Sequence, residues 1–168
     1  MFENLIKNPP RAIIAAENMD ELTETWAINN RIVLYLLDAI DEANLSDTMV
    51  SKGRNVGEQF AHINNVRLMW LKAAMPELME NLIKIEKPEA TDKALIEDAL
   101  IRSGEAVGKM IAGSNGRIKG FKPHPTAFVA YLSSHEAHHR SQIIIALKQS
   151  GHALGKKVLF GIWEFGVR

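Results

Sequence analysis

Apolar positions recur at steps of three and four along most of this chain, and the breaks between the periodic stretches are short and rich in turn formers. The first stretch runs from about Asp20 to Ala43, where Leu22, Trp26, Ile32 or Val33, Leu36 and Ile40 form an apolar stripe. Asp20 and Glu21 suit the positive end of that helix dipole. A loop pivoting on Gly53 leads to a second helix over about Val56 to Ala74, which stops near Pro76; Leu78 to Ile83 adds a turn or continues it after the break. The third helix covers about Thr91 to Ile111, opened by Thr91 or Asp92 and stopped by "GSNG". The fourth covers about Pro125 to Gln149, with proline tolerated in its first turn and Gly151 placed as its C-terminal cap.

No alternating strand pattern and no internal repeat interrupts this series. Four helices of about five to seven turns, each with one apolar face to bury, predict an all-α fold: a four-helix bundle, up-down-down-up or similar, in a single domain over residues 1–168. The tail "GKKVLFGIWEFGVR" carries Leu159, Phe160, Ile162, Trp163 and Phe165 close together, and predicts a short C-terminal helix or lid over one end of the bundle, or a dimer contact.

Composition narrows the chemistry. At 168 residues, 46% hydrophobic and 24% charged, the chain falls among ordinary globular proteins. Its longest apolar runs, such as Ile143 to Leu147, are far too short to cross a bilayer, and the start "MFENLIKNPPRA" does not resemble a signal peptide, so a cytoplasmic protein without a membrane partner is expected. Lys+Arg and Asp+Glu are 20 each, whereas a duplex-binding surface shows as a basic excess, so no nucleic-acid partner is expected. With no cysteine, disulfides, thiolate ligands and a cysteine nucleophile are excluded, and any metal must be held by His, Asp or Glu.

Histidines supply the candidate chemistry. "YLSSHEAHHRSQ" contains His135-Glu136-Ala137-His138-His139, an H-E-x-x-H match that occurs in zinc peptidases. The metzincin continuation fails, since Gln142 and Ile145 stand where Gly and His are required, and no strand is present to align a peptide. What remains is the helical spacing. Residues four apart lie on one face, so His135 and His139 can aim at one ion. At roughly 100° per residue, His139 lies about 40° from His135 inside the stripe of Phe128, Leu132, Ile143 and Ala146, while His138 lies at about −60°, on its edge. His139 is therefore the better inward ligand, and His138 reads as a surface residue.

An open catalytic site needs a third protein ligand, and the second helix offers His62, between Phe60 and Ile63. Its other reading is a core histidine bonded to a neighbour. His124, between two prolines, reads as a loop residue; His152, past the cap, suits the C-terminus of the fourth helix; Asn29, Asn30 and Arg31 read as a solvated face, the alternative being that one of them lines a pocket. Glu136, beside the apolar stripe, is a salt-bridge partner, a support for a ligand, or a general base.

"GRNVGEQFAHINNVRLMWL" followed at a distance by "YLSSHEAHHRSQIIIALKQSG" resembles the DinB/YfiT-like superfamily of metal-binding four-helix bundles, and the tail "GIWEFG" is similar to what its members carry. The resemblance covers most of the chain and is most specific in the H-x-x-x-H-R-x-Q block. It implies His62, His135 and His139 as ligands of a nickel- or zinc-type divalent ion, and a homodimer. It also implies, for some branches, transfer of a small thiol to an electrophile or a related hydrolysis, with Glu136 or Tyr131 assisting. The alternatives are a non-catalytic, stress-related bundle in which the metal is structural, and a bundle whose histidines are polar core residues.

Overall fold

The structure is a computed structural model that describes residues 11–167, with side chains from Met19 onward; the start of the chain, read above as lacking a signal peptide, lies outside them. Five α-helices are present: α1 (Arg11–Asp38), α2 (Val56–Ala74), α3 (Lys93–Ala112), α4 (Pro125–Gln149) and α5 (Lys156–Gly161). Among the described residues there is no strand. The bounds of α2 and α4 are those the pattern predicts. For α1 the helix begins before Asp20 and ends at Asp38, because the chain turns at Ala39–Ile40 and enters a 3₁₀ turn over Glu42–Ser46. The segment after Pro76 forms a 3₁₀ turn, Pro76–Met79, runs irregularly, and forms a second 3₁₀ turn, Lys87–Glu89, before α3.

The four long helices run up, down, down and up. Helix α1 packs on α3 and α4, and α2 packs on the same two. Trp26 meets Gly104 and the C-terminus of α1 meets Lys93, so α1 and α3 are antiparallel. The α2–α4 pair is also antiparallel, with Gln59 at His139 and Trp70 at Tyr131. Helices α2 and α3 run parallel, which obliges the chain to travel back along the bundle between Met75 and Asp92. At one glycine that return strand comes very close: a Cβ on Gly57 would sit 1.7 Å from the Ala90 carbonyl oxygen.

Caps set the helix ends. Asn55 caps α2 by accepting from the Glu58 amide at 2.7 Å, and Glu58 accepts in return from the Asn55 amide at 3.2 Å. Asp92 caps α3 through the Leu95 amide. His124, read above as a loop residue, is the N-cap of α4: its Nδ1 accepts from the Ala127 amide at 3.2 Å. Ser150 is the C-cap of α4, and Gly151, at φ +90°, is the left-handed residue after it. The His152 amide then bonds back to Leu147 and the Gly151 amide to Lys148.

Two apolar clusters fill the bundle. One gathers Val33, Leu36, Phe60, Ile63, Ile96 and Leu147; the other gathers Trp26, Leu71, Val107, Met110, Phe128 and Leu132. Between them lies a buried polar layer to which every long helix contributes. Arg67 on α2 donates through Nε to Glu136 Oε1 at 2.7 Å and through Nη2 to Oε2 at 2.9 Å. Its Nη1 donates to Asn30 Oδ1 at 2.8 Å and to the Leu100 carbonyl at 3.0 Å. Asn29 Nδ2 donates to Glu136 Oε2 at 2.6 Å, and Arg140 donates to Asn29 Oδ1 at 3.0 Å. Arg67 and Glu136 are wholly buried, and the guanidinium lies 5.0 Å over the Trp26 ring. Asn29 and Asn30, expected on a solvated face, are core residues: this layer gives their amides the partners that burial demands. Arg31 keeps its surface place in an ion pair with Glu24.

The tail folds into α5 as a short helix, whose Gly161 is seated against Tyr35. It does not bury its large side chains: Phe160 is 69% and Trp163 75% exposed, with Phe165 and Val167 also exposed.

Candidate metal centre

The capping box at Asn55 starts α2 so that Gln59 and His62, three residues apart, share the face turned to α4. From α4, His135 and His139 project one turn apart onto the same spot. His139 meets the other two rings edge to face, with centroids 4.6 Å from His62 and 4.5 Å from His135, and His62 and His135 are tilted to each other at 5.3 Å. One nitrogen of each lies within 4.8 Å of the other two. Three ligand candidates far apart in sequence thus converge. The exposed His138 lies only against the outer edge of His139, at 5.2 Å between centroids.

Hydrogen bonding decides the state of His139. Its Nδ1 lies 2.7 Å from Gln59 Oε1 and 3.1 Å from Gln142 Oε1. Both are amide oxygens, so Nδ1 carries the proton and Nε2 presents a lone pair. That lone pair faces His135 Nε2 at 3.1 Å. If His135 Nε2 also carries a lone pair, the two repel; if it carries the proton, the buried His135 Nδ1 becomes an acceptor with no partner. A cation between the two Nε2 atoms removes the repulsion. Imidazole nitrogens bound at about 2.0–2.1 Å lie roughly 3.0–3.4 Å from each other around one ion, which accommodates the observed spacing.

Electrostatics favour the neutral, ligating form. Burial, the Arg54 charge and the neighbouring His135 push His62 from its usual value down to about 4. Burial, with His135 and His62, likewise lowers His139 to about 4, and burial lowers His135. A metal ligand must be deprotonated, so these shifts remove a competing proton at neutral pH.

Tyr131 and Glu136 occupy different surroundings. Tyr131 stacks on His135 at 6.3 Å and 29°, continuing a wall of Trp70, Phe121 and Phe128. The Glu136 carboxylate accepts from Arg67 through both oxygens and from Asn29 inside the core, which matches its salt-bridge reading. His152 Nδ1 donates to Asp47 Oδ2, 2.7 Å away, apart from the cluster. Gln59, Gln142 and Arg54 are additions that the histidine count does not reveal. The glutamines were readable as helical neighbours of the ligands, one at i−3 from His62 and one at i+3 from His139.

A model of the DinB family matches residues 15–156. The chain belongs to the DinB family. The match spans all four long helices apart from the first turn of α1, and so takes in His62, His135 and His139. No curated protein and no solved structure matches this DinB chain. Its three histidines can hold a metal ion.

Proposed function

We propose that this DinB protein is a metal-dependent enzyme that transfers a small thiol to an electrophile or catalyses a related hydrolysis, with His62, His135 and His139 holding a nickel or zinc ion. The observation that carries the reading is the pair of Nε2 atoms 3.1 Å apart, one of them fixed as a lone pair by Gln59. When bound, a divalent ion supplies Lewis acidity, which lowers the pKa of a thiol or of water.

The chain's own residues have distinct tasks. Three imidazoles leave open positions for a substrate, and His62 lines a cavity of about 180 Å³ that opens to solvent beside it. That cavity favours a catalytic site over one in which the metal is only structural. Gln59 holds His139 in the ligating tautomer. Tyr131, 38% exposed and stacked on His135, offers a hydroxyl to the reacting group. In the transfer the thiol loses its proton, a sulfur–carbon bond forms, and the leaving group departs with a proton. Glu136 holds the rotation of α4 through Arg67 and takes no proton. The exposed aromatics of the tail support a homodimer, and the balance of 20 basic and 20 acidic residues supports a small-molecule partner over nucleic acid.

Elemental analysis of tag-free protein, beside His62→Ala and His139→Ala, tests the site. Near-stoichiometric nickel or zinc in the wild type, lost in both variants, is expected. Wild-type protein that takes up no divalent ion when offered one would overturn the reading.

A further inference from the structure

Beside His62, the cavity of about 180 Å³ is walled by the start of α2 and by the segment returning to α3. It carries three cationic side chains, Arg54, Lys84 and Lys87, and two carboxylates, Glu58 and Glu86. The lysines are paired: Lys84 Nζ lies 2.6 Å from Glu86 and Lys87 Nζ 3.4 Å from Glu58. Arg54 has no ion pair and no hydrogen bond among the described residues, so the excess positive charge of the cavity rests on it.

The Arg54 side chain is exposed, and its backbone position is set by its neighbours. It directly precedes Asn55, whose reciprocal bonds with Glu58 fix the entry to α2, and it follows Gly53 at φ +110°, a conformation that glycine adopts readily. Arg54 lines the same cavity as His62, and its charge acts on both His62 and His135. A guanidinium there opposes the binding of a dication, and an anion seated between the two would compensate both. Five N–H donors in a planar fork suit carboxylate, sulfonate or phosphate oxygens.

We infer that Arg54 and the cavity it shares with His62 form an anion subsite, so that the small molecule reacting at the imidazole cluster carries a carboxylate, sulfonate or phosphate group a few bonds from its reacting atom. The inference rests on the reading of the histidines as a substrate-binding metal site and specifies the class of substrate.

The test uses the zinc-loaded full chain at low ionic strength and three probes: 2-mercaptoethanol, ethanesulfonate, and 2-mercaptoethanesulfonate, which joins the thiol and the anion. Dissociation constants are read from amide chemical shifts in wild type and in Arg54→Gln. Adding the sulfonate to the thiol is expected to tighten binding about fivefold in wild type, the scale of one exposed charge pair. Arg54→Gln is expected to abolish that gain, so that the two thiols bind equally in the variant. If both thiols bind equally in wild type, or if the gain survives Arg54→Gln, the anion subsite is overturned while the thiol reading stands. If the thiols bind no better than ethanesulfonate, and ethanesulfonate binding needs Arg54, the subsite stands and the thiol reading falls. If none of the three binds, both fall.

Discussion

Neighbouring residues of α4 have opposite environments. Glu136 is a buried charge whose every oxygen is paired, to Arg67 and Asn29, in a layer that joins all four long helices. His139, buried, and His135, half-buried, lie on either side of it in sequence and have ring nitrogens in conflict, with one lone pair aimed at a neighbour and one ring nitrogen without a partner among the described residues. Both arrangements place polar groups in an apolar interior, where desolvation has to be offset. The first is complete without any ligand, which marks it as architecture. The second can be completed by a cation, which marks it as a candidate site.

The difference can be broken most forcefully from the architectural side. Arg67→Met leaves the Glu136 carboxylate buried without its counter-ion and is expected to cost about 3–5 kcal/mol in urea denaturation. The double variant Arg67→Met/Glu136→Leu removes both charges and is expected to recover most of that loss, with metal content near wild type. Loss of metal in the double variant, with stability retained, would show that the pair itself holds the ligand helix in register.

From the side of the site, Gln59→Leu removes the acceptor that sets the His139 tautomer. Metal affinity is expected to fall about 10–100-fold by competition against a chelator, since partners of ligating histidines carry that much. Unchanged affinity would mean that Gln142, 3.1 Å from the same nitrogen, suffices.

Acidity separates the two regions more gently. His62 and His139 titrate near 4 in the folded protein, below the ordinary histidine value of 6.5. The unfolded chain therefore binds more protons between those values. The stability that comes from keeping these rings neutral is fully present above about 6.5 and is lost as pH falls toward about 4. The melting temperature of metal-free protein is expected to drop across that window, and less in His62→Ala/His139→Ala. A profile with the same slope in both proteins would remove the cluster as its cause.

The smallest effect is expected where the surroundings are simplest. Tyr131→Phe keeps the ring against His135 and removes only a hydroxyl on a half-open surface, so thermal stability should change by less than about 1 kcal/mol. A drop in turnover on any substrate found for the protein would then belong to the hydroxyl.

Much of this was legible along the chain. The α2 and α4 bounds follow from apolar spacing, an N-terminal cap, and proline or glycine stops, all of which act within a few residues. The i,i+4 histidine pair follows from the same periodicity. Arg67 was visible as an anomaly, standing where the stripe of Val56, Phe60, Ile63 and Leu71 calls for an apolar residue. Its partner was not, because Glu136 is 69 positions away. Asn29 and Asn30 were misassigned to solvent for the same reason: an amide in a helix reads as exposed until a distant charge is found to meet it. The early start of α1 escaped because Asp20 and Glu21 read as the acidic first turn of a helix.

Local information thus suffices for the helices, for the all-α class and for the face on which each histidine lies, since these depend on backbone geometry repeated every turn. Distances between elements do not follow from it. That His62 meets His135 and His139, and that Glu136 is consumed by Arg67, both depend on how antiparallel α2 and α4 are set against each other. That setting is fixed by burial and pairing across the whole bundle, where a side chain's partner is chosen by space and charge, without regard to separation in sequence.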